Sequence, residues 1–346
     1  MTISLTDIRS ISNENLCSIL EENNFPSYRS KQIKNWSRKI DIVEFNQMSN
    51  LPKRLVNFLN DNFCLNKSEI LYKQRSSDDT IKYAIKLYDG KVVESVLIPS
   101  NGRVTACVSS QVGCSLDCNF CATSLLKNMR NLHYYEIFDQ IMLLNDEAKC
   151  YLNSTITNIV FMGMGEPLLN YKNVLKSIDY ITSDFGLGIS FKKITVSTSG
   201  ISKTIKRMAD DDVKFNLAVS LHSAIEETRN IVMPFTKSFP LKKLVESLDY
   251  WYKKTKRKIT FEYLVWKGIN DDFKHIDSLI EICKRVPSKV NLIEYNSTDN
   301  SDFKSADIEW INNYINVLKE NKIAVSLRRS RGKDIQAACG QLANKY

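Results

Sequence analysis

The stretch Val104-Thr-Ala-Cys-Val108, followed directly by Ser-Ser-Gln-Val-Gly-Cys114-Ser-Leu-Asp-Cys118-Asn-Phe-Cys121-Ala-Thr123, decides the fold of this 346-residue chain. Its first five residues form an apolar, partly β-branched run, which predicts a buried strand. The three cysteines after that run have the spacing C-x3-C-x2-C, and thiolates so spaced can bind one soft metal centre. The pattern therefore predicts a strand that leads into a metal-binding loop.

The number of cysteines in this loop separates two kinds of metal site. Structural zinc normally takes four protein ligands, so zinc here would need His133 or Cys107 as well. A four-iron cluster held by three thiolates keeps one iron free for the amino and carboxylate groups of S-adenosylmethionine (SAM). An electron from the cluster can then cleave SAM to a 5′-deoxyadenosyl radical, which removes hydrogen from unactivated carbon. We favour a [4Fe–4S] cluster, whose expected ligands are Cys114, Cys118 and Cys121.

From Val104 onward, short apolar strands alternate with amphipathic helices, which is typical of βαβ units around a parallel sheet. The predicted strands are Val104–Val108, Ile156–Gly163, Lys193–Ser197, Lys214–Leu221, Lys258–Val265, Lys289–Ile293 and Ile323–Leu327. The predicted helices are Tyr135–Ala148, Asn173–Thr182, Leu241–Lys254, Asp272–Lys284 and Ile308–Asn321. Six or so repeats are too few for a closed eight-fold barrel. We expect an α/β fold, an open partial (βα)6 barrel with its site at the carboxyl ends of the strands.

The region before this barrel has a different pattern. Apolar residues at helical spacing predict the helices Glu14–Asn23, Arg29–Lys39 and Pro52–Phe63. The pair Asp89-Gly90 lies between two β-rich runs, Thr80–Tyr88 and Lys91–Pro99, and so predicts a hairpin. We therefore expect a helical N-terminal accessory domain over 1–75, a hairpin and linker over 76–103, and a partial barrel with a C-terminal tail over 104–346.

Glycines and short polar residues follow the predicted strands. Such residues let backbone amides approach a ligand and can bind a hydroxyl-rich nucleoside, and Glu166 can accept a hydrogen bond from an ammonium group. The candidate cofactor-binding residues are Gly165, Glu166, Ser197, Ser220, Leu221, His222 and Asn296. Phe120 is expected to face the adenine or pack on the cluster. Singly, each residue also fits an ordinary role, such as a tight turn for glycine or a helix N-cap for Ser197.

Composition and charge narrow the class of protein. Hydrophobic residues make up 43% and charged residues 25% of the chain, as in ordinary globular proteins. Without a long apolar run or a signal peptide at its start, we expect a soluble cytoplasmic protein that does not bind a membrane. Lys and Arg number 48 against 39 Asp and Glu, an excess that suits a polyanionic partner. Basic residues cluster at Lys253–Lys258, where a solvated face is the simpler reading, and at Arg328–Lys333, where we favour RNA contact.

Five segments in this order resemble a known family. They are Val108–Thr123, Gly163–Leu168, Ser197–Gly200, Ser220–His222 and Asp334–Leu342. Together they closely resemble the RlmN/Cfr family of radical SAM RNA adenine methyltransferases, over essentially the whole chain. Pro167 and Ser199 resemble the RlmN branch, which methylates carbon 2 of adenosine, rather than the Cfr branch, which methylates carbon 8.

The resemblance implies a mechanism with two SAM molecules in each turnover. Cys339 would accept a methyl group from the first SAM, and the radical from the second would remove hydrogen from that S-methyl group. The resulting methylene radical would add to the base. By position, Glu94 matches the proton acceptor, and Cys107 matches the resolving thiol that forms a disulfide as the product leaves.

The resemblance also implies the partners of the enzyme. They are an adenosine in the peptidyl-transferase centre of 23S rRNA, an adenosine beside the anticodon in tRNA, and a low-potential electron donor such as flavodoxin or ferredoxin. The enzyme would act as a monomer.

Other functions stay open at this point. A radical enzyme that activates another protein would need no methyl-carrying or resolving thiol, and a zinc-bound RNA-binding module would need no SAM. The chain also departs from the family: Ser124 and Lys127 stand where members commonly have glycine, and Glu294 stands where proline is common. These changes put the geometry of the loop beside the cluster in question.

Overall fold

The structure, a computed structural model, describes residues 5–126, 130–184, 186–298 and 302–344, so Lys127 lies outside the described residues. The strands are β1 (Thr6–Asp7), β2 (Phe63–Cys64), β3 (Glu69–Arg75), β4 (Ile81–Lys86), β5 (Val92–Ser100), β6 (Arg103–Cys107), β7 (Gln111–Val112), β8 (Arg130–Asn131), β9 (Asn158–Phe161), β10 (Ile194–Thr198), β11 (Asn216–Ser220), β12 (Ile259–Leu264), β13 (Ser288–Ile293) and β14 (Ala324–Arg328). The helices are α1 (Asn13–Glu22), α2 (Arg29–Ser37), α3 (Lys53–Asn62), α4 (Tyr134–Leu152), α5 (Tyr171–Thr182), α6 (Ser202–Asp210), α7 (Glu226–Val232), α8 (Leu241–Thr255), α9 (Phe273–Arg285) and α10 (Ile308–Glu320).

Ten of these strands form one sheet in the order β14-β13-β12-β11-β10-β9-β6-β5-β4-β3. The seven strands from β6 to β14 are parallel neighbours, for example Ala106 beside Ile159 and Val196 beside Leu217. All seven match predicted strands, and helices follow each strand from β6 to β13. The sheet is open, because β14 and β3 are its edges. The predicted partial barrel of βα units is confirmed.

The first part of the chain holds three helices and a three-stranded meander. The helices α1, α2 and α3 match their predictions, and Ser12 caps the start of α1, where its side chain accepts a hydrogen bond from Asn15 N. The predicted hairpin is present as β4 and β5, with Gly90 at φ +77° in its turn. The strand β3 was not predicted, and it pairs antiparallel with β4. The division into 1–75, 76–103 and 104–346 stays a prediction.

A buried ion network joins the N-terminal helices to the barrel. The Arg9 guanidinium contacts both carboxylate oxygens of Asp139 on α4 at 2.9 Å, and its other side contacts Asp7. Lys67 Nζ lies 3.7 Å from Asp139 Oδ1. The Arg9 and Asp139 side chains are 4% and 0% exposed, so these charges compensate each other away from water. The network fixes the small apolar core of α1–α3 against the large core of the barrel.

Side chains alternate along each barrel strand between the helices and the interior. In β12, Ile259, Phe261 and Tyr263 belong to the core between sheet and helices. The intervening residues Thr260 and Glu262 face the interior cavity instead. This alternation aligns polar residues from neighbouring strands along one interior surface.

The C-terminal tail, residues 329–344, runs from β14 back to the turn between β3 and β4. Asp334 accepts hydrogen bonds from Ser76 Oγ at 2.5 Å and Ser77 N at 3.0 Å, and Asp78 accepts one from Gly332 N at 3.1 Å. Arg331 Nη2 also donates to Pro99 O at 2.9 Å. The tail therefore connects β14, at one edge of the sheet, to the turn between β3 and β4 near the other edge. None of the described helices combines the length and apolar character needed to cross a bilayer.

Candidate active site

A cavity of about 570 Å³ fills the interior of the partial barrel. The metal-binding loop, the strand ends and the tail all contribute to its wall. The predicted site residues that line it are Cys107, Cys114, Cys118, Cys121, Gly165, Glu166, Ser197, Ser220, His222, Asn296 and Cys339. Two predicted residues do not line it: Leu221, which is buried in the core, and Glu94, which lies under the tail.

The loop with three cysteines is held by backbone contacts to distant segments. Asn119 N donates to Val232 O at 3.0 Å, and Phe235 N donates to the Asp117 carboxylate at 2.7 Å. Ser124, which departs from the family pattern, donates its hydroxyl to Cys118 O at 3.0 Å and to Cys121 O at 2.7 Å. This serine therefore closes the turn around the last two cysteines.

Burial governs the ionisation of these thiols. It raises the pKa of Cys114 to about 12, and it raises the pKa values of Cys118 and Cys121 above the usual value as well. Burial by itself therefore favours the neutral form of all three thiols. A bound metal centre reverses that preference, because a coordinating thiol is deprotonated by the metal charge.

Three aromatic rings form the wall behind this loop. Phe120 meets His222 edge to face at 4.8 Å between ring centroids and lies 5.4 Å from Trp266. His222 has φ +57°, and its Nδ1 accepts a hydrogen bond from Leu264 N at 3.2 Å. Burial, together with the nearby Arg229 charge, lowers the pKa of His222 to about 3. The imidazole is therefore neutral at physiological pH.

The turn after β9 presents Glu166 to the cavity. Gly165 has φ +91°, and an added Cβ would lie 2.4 Å from Gln111 Cβ, so only glycine fits there. Gln111 Oε1 accepts a hydrogen bond from Glu166 N at 2.8 Å. The carboxylate of Glu166 accepts hydrogen bonds from Leu168 N at 2.9 Å and Ser199 N at 2.7 Å. Each oxygen has a further lone pair that can accept from a ligand ammonium.

Arg229 on α7 is a structural residue of the site that the sequence analysis missed. It is 1% exposed, and it donates from Nε to Leu221 O at 3.1 Å and from Nη2 to Ser199 O at 2.7 Å. It thereby connects the ends of β10 and β11. Nothing in the local sequence distinguishes this arginine from a surface residue of a short helix, because its acceptors are carbonyls distant along the chain.

The tail places Cys339 at the cavity near Cys107. The Arg328 guanidinium lies close to both thiols, whose negative charge when ionised raises the pKa of this arginine. Burial raises the pKa of Cys107 to about 12. Asn296 Nδ2 donates to Cys339 O at 3.3 Å, while its buried Oδ1 has no hydrogen-bond partner among the described residues. Arg328 is a second residue that the sequence analysis did not single out as part of this site.

Glu94 contacts the end of the tail. Its Oε2 accepts hydrogen bonds from Ala343 N at 2.8 Å and Asn344 N at 3.1 Å, and its Oε1 lies 3.4 Å from Lys82 Nζ. The side chain is 1% exposed. In this arrangement the carboxylate anchors the tail and does not face the cavity.

Comparisons with known proteins place this architecture in a family. Residues 108–280 match the Radical SAM superfamily. A relative from Flavobacterium psychrophilum, named "Probable dual-specificity RNA methyltransferase RlmN", is 57% identical over 345 residues, which cover 100% of this chain and 99% of that protein. One of the same name from Christiangramia forsetii is 53% identical over 98% of this chain and 96% of that protein. The crystal structure of a radical SAM methyltransferase from Sphaerobacter thermophilus superimposes with a TM-score of 0.90 at 33% identity, covering 98% of this chain and all of that one.

The chain is thus a radical SAM protein, with a barrel and cysteine loop of that superfamily. Within the superfamily it belongs to the RlmN family of RNA methyltransferases, because its relatives match it over their whole length. Its cofactors are accordingly a [4Fe–4S] cluster and SAM.

The residues present fit these two cofactors. Cys114, Cys118 and Cys121 border one cavity, although in the described part of the chain no three His, Cys, Asp or Glu side chains converge closely enough for a single metal ion. The cavity has room beside them for a second group, and its wall offers free lone pairs on Glu166 and the unpartnered Oδ1 of Asn296. These acceptors suit the ammonium and hydroxyl groups of SAM.

Proposed function

We propose that this enzyme methylates carbon 2 of adenosine, in the peptidyl-transferase centre of 23S rRNA and beside the anticodon of tRNA. The observation that carries this proposal is the position of two further thiols. Cys107 and Cys339 line the same cavity as the three-cysteine loop, and both lie near the guanidinium of Arg328. A radical enzyme that activates another protein would not need these two additional thiols.

Carbon 2 of adenine is electron-poor, so it does not attack a sulfonium methyl group as an ordinary nucleophile. When bound, the cluster and SAM supply a 5′-deoxyadenosyl radical, which can remove hydrogen from an unactivated carbon. Cys339 first takes a methyl group from one SAM, because its sulfur attacks the methyl carbon and S-adenosylhomocysteine leaves. The S-methyl group of Cys339 then loses a hydrogen atom to that radical, which leaves as 5′-deoxyadenosine, and the carbon radical on Cys339 bonds to carbon 2 of the base.

Release of the product requires a base and a second thiol. We assign the uptake of the proton from carbon 2 to Glu94, whose carboxylate becomes available when the amides of Ala343 and Asn344 move away. The unpaired electron of the adduct would return to the oxidised cluster, which restores the aromatic ring. The sulfur of Cys107 then attacks the sulfur of Cys339. This attack forms a Cys107–Cys339 disulfide and breaks the bond between the Cys339 sulfur and the methylene carbon, and the proton of the Cys107 thiol passes to that carbon, which becomes the methyl group of the base.

Residues beside Glu166 support carbon 2 over carbon 8. Pro167 lines the cavity, and the backbone of Ser199 binds the Glu166 carboxylate. Both residues match the RlmN branch of the family. The enzyme would work as a monomer and receive its electrons from a low-potential donor such as flavodoxin or ferredoxin.

Substitution of the methyl-carrying cysteine tests this proposal. Cys339→Ala should retain the absorbance and iron content of the reconstituted cluster but give no methylated RNA. Peptide mass spectrometry should find a methyl group on residue 339 of the wild-type enzyme after incubation with SAM. Cys283→Ala, in the buried face of α9 and outside the cavity, is the matched control and should leave both results unchanged. Full activity of Cys339→Ala would refute the methyl-cysteine mechanism.

A further inference from the structure

Three cations line the amino-terminal end of the cavity, opposite the cysteine loop. They are Arg103 at the start of β6, Lys193 immediately before β10, and Lys289 in β13. We call these residues the cationic rim. All three are exposed, and within the described residues no ion pair or hydrogen bond engages their side-chain nitrogens. Burial raises the pKa of Glu262, and the nearby charge of Lys289 partly offsets that rise, but Lys289 does not form an ion pair with this carboxyl, so all three cations stay exposed at the rim.

The strand periodicity explains why these cations face the cavity. Arg103, Thr105 and Cys107 lie at two-residue intervals on β6, so all three point to the interior. The same spacing relates Lys193 to Ser197. From Arg103 to Cys107 the strand rises about 13 Å, at about 3.3 Å per residue. A nucleotide can extend over this length, with its base near Cys107 and its phosphate at the rim.

The helix dipole does not account for the rim. Cations are common at the carboxyl ends of helices, where they offset the negative end of the dipole. Lys289 does follow α9, but Arg103 follows a tight turn between β5 and β6, and Lys193 ends a 3-10 turn. Two of the three positions therefore lack a preceding α-helix.

The other routes into the cavity are covered. At the carboxyl ends of the strands, the tail lies on the cysteine loop, where Ala122 N donates to Gly340 O at 2.7 Å and Thr123 Oγ1 to Leu342 O at 2.7 Å. Across the open side, Asp334 and Gly332 hold the tail to the turn between β3 and β4. The amino-terminal mouth is the side on which the rim residues are exposed.

We infer that the cationic rim binds the phosphates of single-stranded RNA whose target base enters the barrel through its amino-terminal mouth. This inference rests on the proposed function and adds the direction of substrate entry. Lys and Arg gain affinity for a phosphate backbone by releasing its counterions. An acidic electron-donor protein fits the rim less well, because it must approach the cluster, which lies at the opposite end of the cavity.

The test compares two variants with equal charge loss. The rim variant combines Arg103→Gln, Lys193→Gln and Lys289→Gln. The control combines Lys203→Gln, Lys243→Gln and Lys284→Gln, three exposed lysines on α6, α8 and α9 that do not line the cavity. Binding of a fluorescein-labelled tRNA anticodon stem-loop to the reconstituted enzyme is measured between 50 and 300 mM salt, together with SAM affinity.

The rim variant should bind the stem-loop about tenfold more weakly at 100 mM salt, and its slope of log K against log salt should be smaller by about 2, from three lost phosphate contacts. The control variant should keep the wild-type slope, and both should keep wild-type SAM affinity. Equal losses of stem-loop affinity in the two variants, or no loss in the rim variant, would overturn the inference. The inference is overturned as well if the rim variant keeps its RNA affinity and loses only its response to the electron donor. Absence of 2-methyladenosine from wild-type reactions would instead refute the proposed function, and the binding comparison would still decide the role of the rim.

Discussion

Replacement of Gly165 by alanine should damage both the fold and the cofactor site. This residue has φ +91°, where a side chain costs about 1–2 kcal/mol. The new Cβ would also lie 2.4 Å from Gln111 Cβ and 2.9 Å from Gln111 N, and such overpacking typically costs about 1–3 kcal/mol. We therefore expect Gly165→Ala to lower the free energy of unfolding by about 2–5 kcal/mol.

The matched control is Gly268→Ala, at φ +71° with nothing within 4 Å of the added Cβ. It carries only the conformational cost of about 1–2 kcal/mol. Urea denaturation measures the stability of both variants, and isothermal titration calorimetry measures SAM binding. Because Gln111 holds Glu166 in place, Gly165→Ala should also weaken SAM binding by more than about tenfold, or about 1.4 kcal/mol. Equal stability and equal SAM affinity of the two variants would refute this reasoning.

Three further predictions concern titration, the ion network and the tail. Because the pKa of His222 is lowered, its neutral imidazole contributes stability that is present above pH 6.5 and is lost as the pH falls towards 3. Between pH 6.5 and 5, the free energy of unfolding of His222→Asn, measured by urea denaturation, should therefore fall by about 2 kcal/mol less than that of the wild type. Asp139→Asn leaves Asp7 as the one carboxylate of this network to compensate the buried cations Arg9 and Lys67, and it should cost about 3–5 kcal/mol by the same method. Asp146→Asn, in an exposed pair on the same helix, should cost under about 0.5 kcal/mol. Asp334→Asn should speed hydrogen exchange of the tail amides about tenfold, measured by mass spectrometry, and an unchanged rate would contradict the role of this contact.

Much of the fold could be predicted because the barrel strands are short apolar runs with clear boundaries. The helices α8 and α9 likewise show strong apolar periodicity. The helix α6 was missed because only Ile205, Met208 and Ala209 of its nine residues are buried. The strand β3 was missed because its side chains are mostly exposed, and its place in the sheet depends on pairing with β4.

The candidate site was predictable where residues follow a strand end, and much less so where the contact comes from far along the chain. Cysteine spacing located the loop, and strand ends located Glu166 and His222. Arg229 acts through backbone carbonyls on two other strands, which leave no mark in its own neighbourhood. The position of Glu94 beneath the tail depends on residues about 250 positions away, and no local pattern encodes such a contact.

Identification of the methylated nucleoside tests the central claim most directly. Anaerobically reconstituted enzyme is incubated with SAM, a strong reductant and protein-free 23S rRNA, and the RNA is then digested and analysed by mass spectrometry against synthetic standards. The proposed function predicts 2-methyladenosine, absent from the parallel reaction with Cys339→Ala. Formation of 8-methyladenosine alone, or of no methylated adenosine by an enzyme that cleaves SAM, would contradict it.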